Sequence, residues 1–116
     1  AYKQRGMAYA REGEYLKALE DFNKAAGLYQ EDAVLYRFRG IVYGQMNNLG
    51  QAVEDLRKAV SLDPGDAENY YYLGLVYLKA GDLDNAVPNL KTAAGLGSGE
   101  AQTRLDSLKH SGGEVP

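Results

Sequence analysis

The sequence predicts an all-α protein, an array of antiparallel helix pairs stacked one on the next. Three observations predict it. A set of residues returns every 34 positions. Within each return, small and large apolar residues fall at i, i+4 and i+7, one stripe of a 3.6-residue helix. Turn-forming residues separate the stripes. Self-similarity at such a period marks a repeat architecture, in which each unit buries its apolar face only against its neighbours. With 116 residues, 45% of them hydrophobic, the chain is long enough for one short array with a core of its own.

Gly6, Gly40 and Gly74 anchor the columns. Tyr2, Tyr36 and Tyr70 precede them by four, and Tyr9, Tyr43 and Tyr77 follow by three. Ala18, Ala52 and Ala86 come next, then Phe22, Leu56 and Leu90, then Ala25, Ala59 and Ala93, and last Leu28, Leu62 and Leu96. In the first unit, about 1–32, the tyrosine–glycine stripe predicts a helix over 1–12. Gly13 turns the chain, and the alanine stripe predicts a second helix over 15–29. Gln30-Glu31-Asp32 ends the unit. The second unit, 33–66, repeats the pair over 33–46 and 49–62 around Asn47-Asn48, closing on Asp63-Pro64-Gly65-Asp66. The third unit, 67–99, predicts helices over 67–80 and 83–96. Asp82 is placed as the N-cap of the latter, with Asn85 three residues on. Pro88 falls inside that helix, where it removes one backbone hydrogen bond and favours a kink. Gly97-Ser98-Gly99 closes the unit.

Residues 100–109 carry Ala101, Leu105 and Leu108 at helical spacing without the Tyr and Gly columns. They predict a capping helix over the last apolar face. Residues 110–116 read as a flexible tail. The chain opens on Ala1 rather than Met and its first unit has no cap, so further sequence is expected upstream.

A glycine inside a helix costs about 1 kcal/mol against alanine, so its return in all three units predicts an offset. Close approach of the partner helix supplies one, with Ala18, Ala52 and Ala86 as the small residues opposite. The six columnar tyrosines then fill the space around the contact, and their hydroxyls need partners or water.

Composition excludes several functions. The formal charge is −3, from 13 Lys+Arg against 16 Asp+Glu, which argues against binding nucleic acid or an anionic membrane. Apolar runs are too short for a membrane span. The absence of cysteine rules out disulfides, thiolate metal sites and cysteine nucleophiles. An active site needs a convergent nucleophile, base or metal set, and none is legible. His110 is the single histidine and sits at a helix end. Glu12, Glu14, Glu20, Asp21, Glu54 and Asp55 read as solvated carboxylates on outward faces or at helix starts. Gly95-Leu96-Gly97-Ser98-Gly99 looks like a phosphate loop but follows a helix and lacks Lys-Ser/Thr, so it reads as helix termination. No enzyme activity, metal or cofactor is expected.

The columns resemble the tetratricopeptide repeat (TPR) family, whose pattern is an aromatic, Leu-Gly and Tyr, then Ala, a large apolar residue and Ala, with a closing Pro. Tyr70, Leu73, Gly74, Tyr77, Ala86, Leu90 and Ala93 match it in the third unit, and Pro64 closes the second. Arg5 and Arg39 depart from the leucine, and Gln30 and Ser98 from the proline. The resemblance covers about 100 of the 116 residues. It implies a right-handed superhelix whose concave groove, lined by first helices, holds a peptide or helix of a partner protein.

Opposite the tyrosine–glycine stripe, the first helices carry Lys3, Met7, Ala10 and Arg11, then Val34, Arg37, Ile41, Gly44 and Gln45. In the third unit the arc holds Glu68, Tyr71, Leu75, Leu78 and Lys79, and Gln4, Phe38 and Tyr72 flank it. By the resemblance, Lys3, Met7, Arg11, Arg37, Phe38, Ile41, Gln45, Tyr71, Tyr72, Leu75 and Lys79 are the candidate peptide-binding residues. Met7, Ile41 and Leu75 equally fit plain packing between adjacent first helices, and the aromatics equally fit a scattered surface. Phe38, Tyr71 and Tyr72 exceed what the repeat requires, and Tyr and Arg are enriched at binding hot spots. With Lys3, Arg11, Arg37 and Lys79 beside them, an aromatic groove with a basic edge is expected, suited to apolar anchors mixed with Asp or Glu.

TPR co-chaperones that hold a heat-shock carboxylate carry Lys, Asn, Asn, Lys and Arg where this chain has Lys3, Met7, Phe38, Glu68 and Tyr72. Only Lys3 agrees, so that clamp is not expected. Pentatricopeptide RNA binders need a positive, base-reading groove, which neutral-to-acidic units do not supply. The expected function is therefore a non-catalytic protein-interaction module, an adaptor or assembly scaffold. Two alternatives are self-association into a homo-oligomer through the array ends, and a regulatory arm of an enzyme whose catalytic domain lies outside the chain.

Overall fold

A computed structural model describes residues 1–110, the His110 side chain excepted; the expected tail beyond His110 lies outside the described residues. Among the described residues seven helices follow one another: α1 (Tyr2–Arg11), α2 (Tyr15–Leu28), α3 (Ala33–Gln45), α4 (Leu49–Leu62), α5 (Ala67–Lys79), α6 (Leu83–Gly95) and α7 (Gly99–His110). They pair as α1–α2, α3–α4 and α5–α6, with α7 packed on α6, in an elongated body of 43 × 25 × 21 Å.

The turns explain the pairing. Gly13, Asn47 and Gly81, each 34 residues from the next, hold φ of 77°, 63° and 78°. This left-handed conformation ends a helix and is easiest for Gly, then Asn. Asp32, Asp66 and Asp82 cap α3, α5 and α6, accepting from the amides of Leu35, Glu68 and Asn85. Ser98 does the same for α7 through the Ala101 amide. Gly95, Gly97 and Gly99 end α6, turn the chain at φ 110° and begin α7. The helix α6 runs through Pro88.

Within each pair the glycine column faces the large residue of the second helix. A Cβ on Gly40 would stand 2.8 Å from Leu56 Cγ and 3.2 Å from the Ala52 carbonyl oxygen. Ala18, Ala52 and Ala86 are fully buried as expected, yet the atoms pressing on the glycines belong first to Phe22, Leu56 and Leu90. Leu28 and Leu96, the last members of their stripes, stay exposed where their helices end. Tyr71, Val87, Leu90, Ala93, Ala101 and Leu105 form the C-terminal core, with Leu108 against it. Leu105 and Leu108 are thus engaged in closing the array, and α7 presents Gln102, Arg104, Asp106 and Lys109 outward.

Two expected surface carboxylates are core residues. Asp21 and Asp55 are 2% and 6% exposed. Arg5 meets Asp21 through two bonds of 2.7 Å, and Arg39 meets Asp55 through two of 2.8 Å. The forked guanidinium makes a bidentate contact that satisfies both carboxylate oxygens. Each arginine also lies near a columnar tyrosine ring shared with a lysine of the second helix: Arg5 and Lys24 at Tyr2, Arg39 and Lys58 at Tyr36. In the third unit Leu73 and Asn89 stand at these places.

The Arg5 hydrogen bonds hold the Asp21 carboxyl below its ordinary 3.8 although burial pushes it up. A depressed native value stabilises the fold above the unfolded carboxylate range, and that stabilisation is lost as pH falls through the native value. Asp21→Asn is therefore expected to lower the melting temperature at neutral pH, with the gap to the parent narrowing below about pH 4. Thermal melts from pH 7 to about pH 2 read this directly; a gap that stays constant into acid would refute it.

Candidate peptide-binding groove

Besides their chain neighbours, α1 touches α3 and α3 touches α5, whereas α2, α4 and α6 make no comparable contact with one another. The first helices are therefore the closely packed inner side of the array, and the second helices splay outward.

On that inner side Ile41, Gln45, Tyr72, Leu75 and Lys79 come together with Gly44 and Val76 around a pocket of about 170 Å³ between α3 and α5. An apolar cavity of about 150 Å³ admits a benzene ring, so this pocket has room for one large side chain. Gly44 opens it: a Cβ there would meet Val76 Cγ2 at 3.5 Å and nothing closer. Met7 and Phe38 pack, half-buried, on the neighbouring cluster of Phe22, Leu35 and Val42. Arg11 is exposed at the end of α1, outside the pocket. A wider notch lined by Leu28, Tyr29, Asp32 and Leu62 lies at the α2–α3 junction and contains none of the expected residues.

The expected basic edge is engaged elsewhere. Lys3 Nζ donates to Asp32 at 2.8 Å. Arg37 Nη1 donates to Asp66 at 2.8 Å and to Asn69 Oδ1 at 3.1 Å. In both cases the cation of one unit reaches the N-cap carboxylate of the next unit's first helix. Burial opposes ionisation of Asp32, yet Lys3 and the Leu35 amide hold its carboxyl below the usual range. Asn69, fully buried, completes the second junction by donating to the carbonyls of Ala59 and Asp63 at the end of α4. Lys79 Nζ donates to the Gly44 carbonyl at 2.7 Å, where a cation meets the negative end of the α3 dipole.

Tyr71 needs correction for the same reason. It occupies the column of Lys3 and Arg37, which points to the next unit rather than into the groove. After the third unit comes α7, and Tyr71 is buried beside Ala101 and Leu105, 5% exposed. Its ring meets Tyr72 edge-on at 5.2 Å. Tyr72 stays half-exposed at the pocket. Burial first, then the charges of Glu68 and Glu100, push its phenol above the usual value. Glu100, brought in by α7, stands 34 residues after Asp66, in the column of the N-cap carboxylates.

A tetratricopeptide repeat model matches residues 1–32 and 67–96, and a TPR repeat model matches 40–81. No curated protein matches the sequence. Among solved structures, the first TPR domain of Spaghetti (RPAP3), bound to HSP90 peptide SRMEEVD, is 21% identical. It superposes with a TM-score of 0.88 over 95% of this chain and 89% of that one, a likeness of fold alone. The second TPR domain of human RPAP3, in complex with HSP70 peptide SGPTIEEVD, is 25% identical, with a TM-score of 0.85 over 93% and 92%. An O-GlcNAc transferase of Thermobaculum terrenum is 26% identical, with a TM-score of 0.79 over 83% of this chain but 18% of that one.

Proposed function

We propose that this chain, which belongs to the tetratricopeptide repeat family, is a non-catalytic adaptor module that takes a peptide or helix of a partner protein on its first-helix face. The observation that carries the reading is the side-chain-sized pocket framed by Ile41, Tyr72 and Leu75. Such a pocket anchors one apolar residue while neighbouring contacts exclude water. Peptide complexes of the two RPAP3 domains of similar fold support the binding mode. Among the described residues no helix is long and apolar enough to cross a membrane.

One short groove of this kind gives about micromolar affinity, near −8 kcal/mol. The test is selection of random dodecapeptides displayed on phage. The enriched pool is expected to bind the parent and the variant Leu16→Ser, at an exposed position of α2, and to lose binding to Tyr72→Ser/Leu75→Ser at matched thermal stability. Equal capture by all three proteins would place binding away from the pocket and end the proposal.

A further inference from the structure

We infer that the groove selects a segment in which a large apolar anchor stands next to a lysine or arginine, with the basic residue toward the N-terminal end of α5. The inference rests on the groove reading above and adds the chemistry of the occupant. It follows from which charges on the inner face are already compensated. Lys3 is paired with Asp32 and Arg37 with Asp66, while the Lys79 ammonium keeps its charge but is held by the carbonyl end of α3. Glu68 and Glu100 make no ion pair among the described residues, and both act on the Tyr72 hydroxyl, opposed more weakly by Arg37, whose charge is shared with Asp66.

Along α5 the order Glu68, Tyr72, Leu75, Lys79 runs at i, i+4, i+7 and i+11. This is the spacing of one helix face, about 16 Å long. Its N-terminal end carries Glu68, with Glu100 of α7 acting on the same Tyr72 hydroxyl, its middle carries the pocket, and its C-terminal end carries a lysine held by a carbonyl. Arg11, the remaining cation of the candidate set, lies in the first unit. Arg11 and Lys79 share one repeat column at the C-terminal ends of α1 and α5, so the inner face is negative at the N-terminal end of α5 and positive at the C-terminal ends of the first helices, and this gradient orients a bound segment. An acidic peptide would bring its carboxylates to the Glu68/Glu100 end, where like charges repel. A basic flank there gains an attraction that salt weakens.

The same dodecapeptide library tests it through the composition of what is selected. On the parent, Lys or Arg within two positions of the apolar anchor is expected to rise about two- to fivefold over the unselected library. On Glu68→Gln/Glu100→Gln, which leaves the pocket lining intact, the enriched peptides should lose that bias while still binding. Peptides that depend on Tyr72 and Leu75 but carry neutral or acidic flanks would overturn the charge inference and leave the groove reading standing. Enrichment that survives Tyr72→Ser/Leu75→Ser, or no enrichment at all, would overturn both.

Discussion

Gly40→Val is expected to lower the melting temperature by roughly 10–15 °C, corresponding to about 3 kcal/mol or more. A Cβ at that position already stands inside contact distance of Leu56 Cγ, and the Ala52 carbonyl oxygen behind it belongs to backbone that cannot rotate away. Valine adds two further carbons and a β-branched side chain that helices disfavour. Accommodating them means parting α3 from α4. Leu56, which makes the contact, is fully buried, so separation also opens the middle of the core. The middle unit borders both others, and in a stacked array stability depends on nearest-neighbour interfaces, so both junctions suffer.

Gly44, one turn further along α3, is the control. There a Cβ makes ordinary contacts with Val76 and Ala52. Gly44→Ala should hold or raise the melting temperature, by up to about 1 kcal/mol of helix propensity, while narrowing the pocket. Thermal melts of the two variants decide the matter. If Gly40→Val melted within a few degrees of the parent, the close helix approach would not be the reason for the glycine column.

The fold was legible because two periods reinforce each other. A spacing of 34 identified the unit, and helical spacing inside it identified the faces, so each helix appears within about two residues of its expected bounds. The inner face was legible only in part. Projection at 100° per residue put Ile41, Tyr72 and Leu75 on one side, and they line one pocket because α3 and α5 are neighbours. It misplaced Tyr71, because the Lys3–Arg37–Tyr71 column serves the junction with whatever follows. That identity differs at the third unit, where a capping helix replaces another repeat.

The buried carboxylates were missed because single-residue rules place Asp outside. A signal was nonetheless present in paired columns. Arg5 and Asp21 lie 16 residues apart, Arg39 and Asp55 likewise, and both charges vanish together at Leu73 and Asn89. Complementary charges that recur at one spacing and disappear as a pair indicate contact. The clasps between Lys3 and Asp32 and between Arg37 and Asp66, each 29 apart, recur at one spacing too, although at the third unit the cation gives way to Tyr71 while an acid remains as Glu100.

That paired disappearance leads to a quantitative expectation for the second unit. Asp55→Asn should cost about 2–3 kcal/mol, somewhat less than the roughly 3–5 of a fully buried pair. Arg39 loses one of its two charge-assisted bonds but keeps Asn23 at 3.0 Å and some access to solvent. Arg39→Leu alone leaves the Asp55 carboxylate, 6% exposed, with neither of the two N–H donors that Arg39 supplies, and should be at least as damaging. The third unit has leucine and asparagine at these places, with Leu73 4% exposed and Asn89 donating to the Asn85 carbonyl.

The double variant Arg39→Leu/Asp55→Asn installs that solution in the second unit. It should recover most of the loss, giving a coupling of about 2 kcal/mol or more between the two positions. Some deficit should persist, because the leucine cannot reproduce the cation over the Tyr36 ring, a contact worth about 0.5–1 kcal/mol when exposed. Urea titrations of the parent, both single variants and the double variant close the cycle. Additive losses would mean that Arg39 and Asp55 stabilise the unit through separate contacts, and that the leucine of the third unit is an independent feature rather than the apolar counterpart of an ion pair.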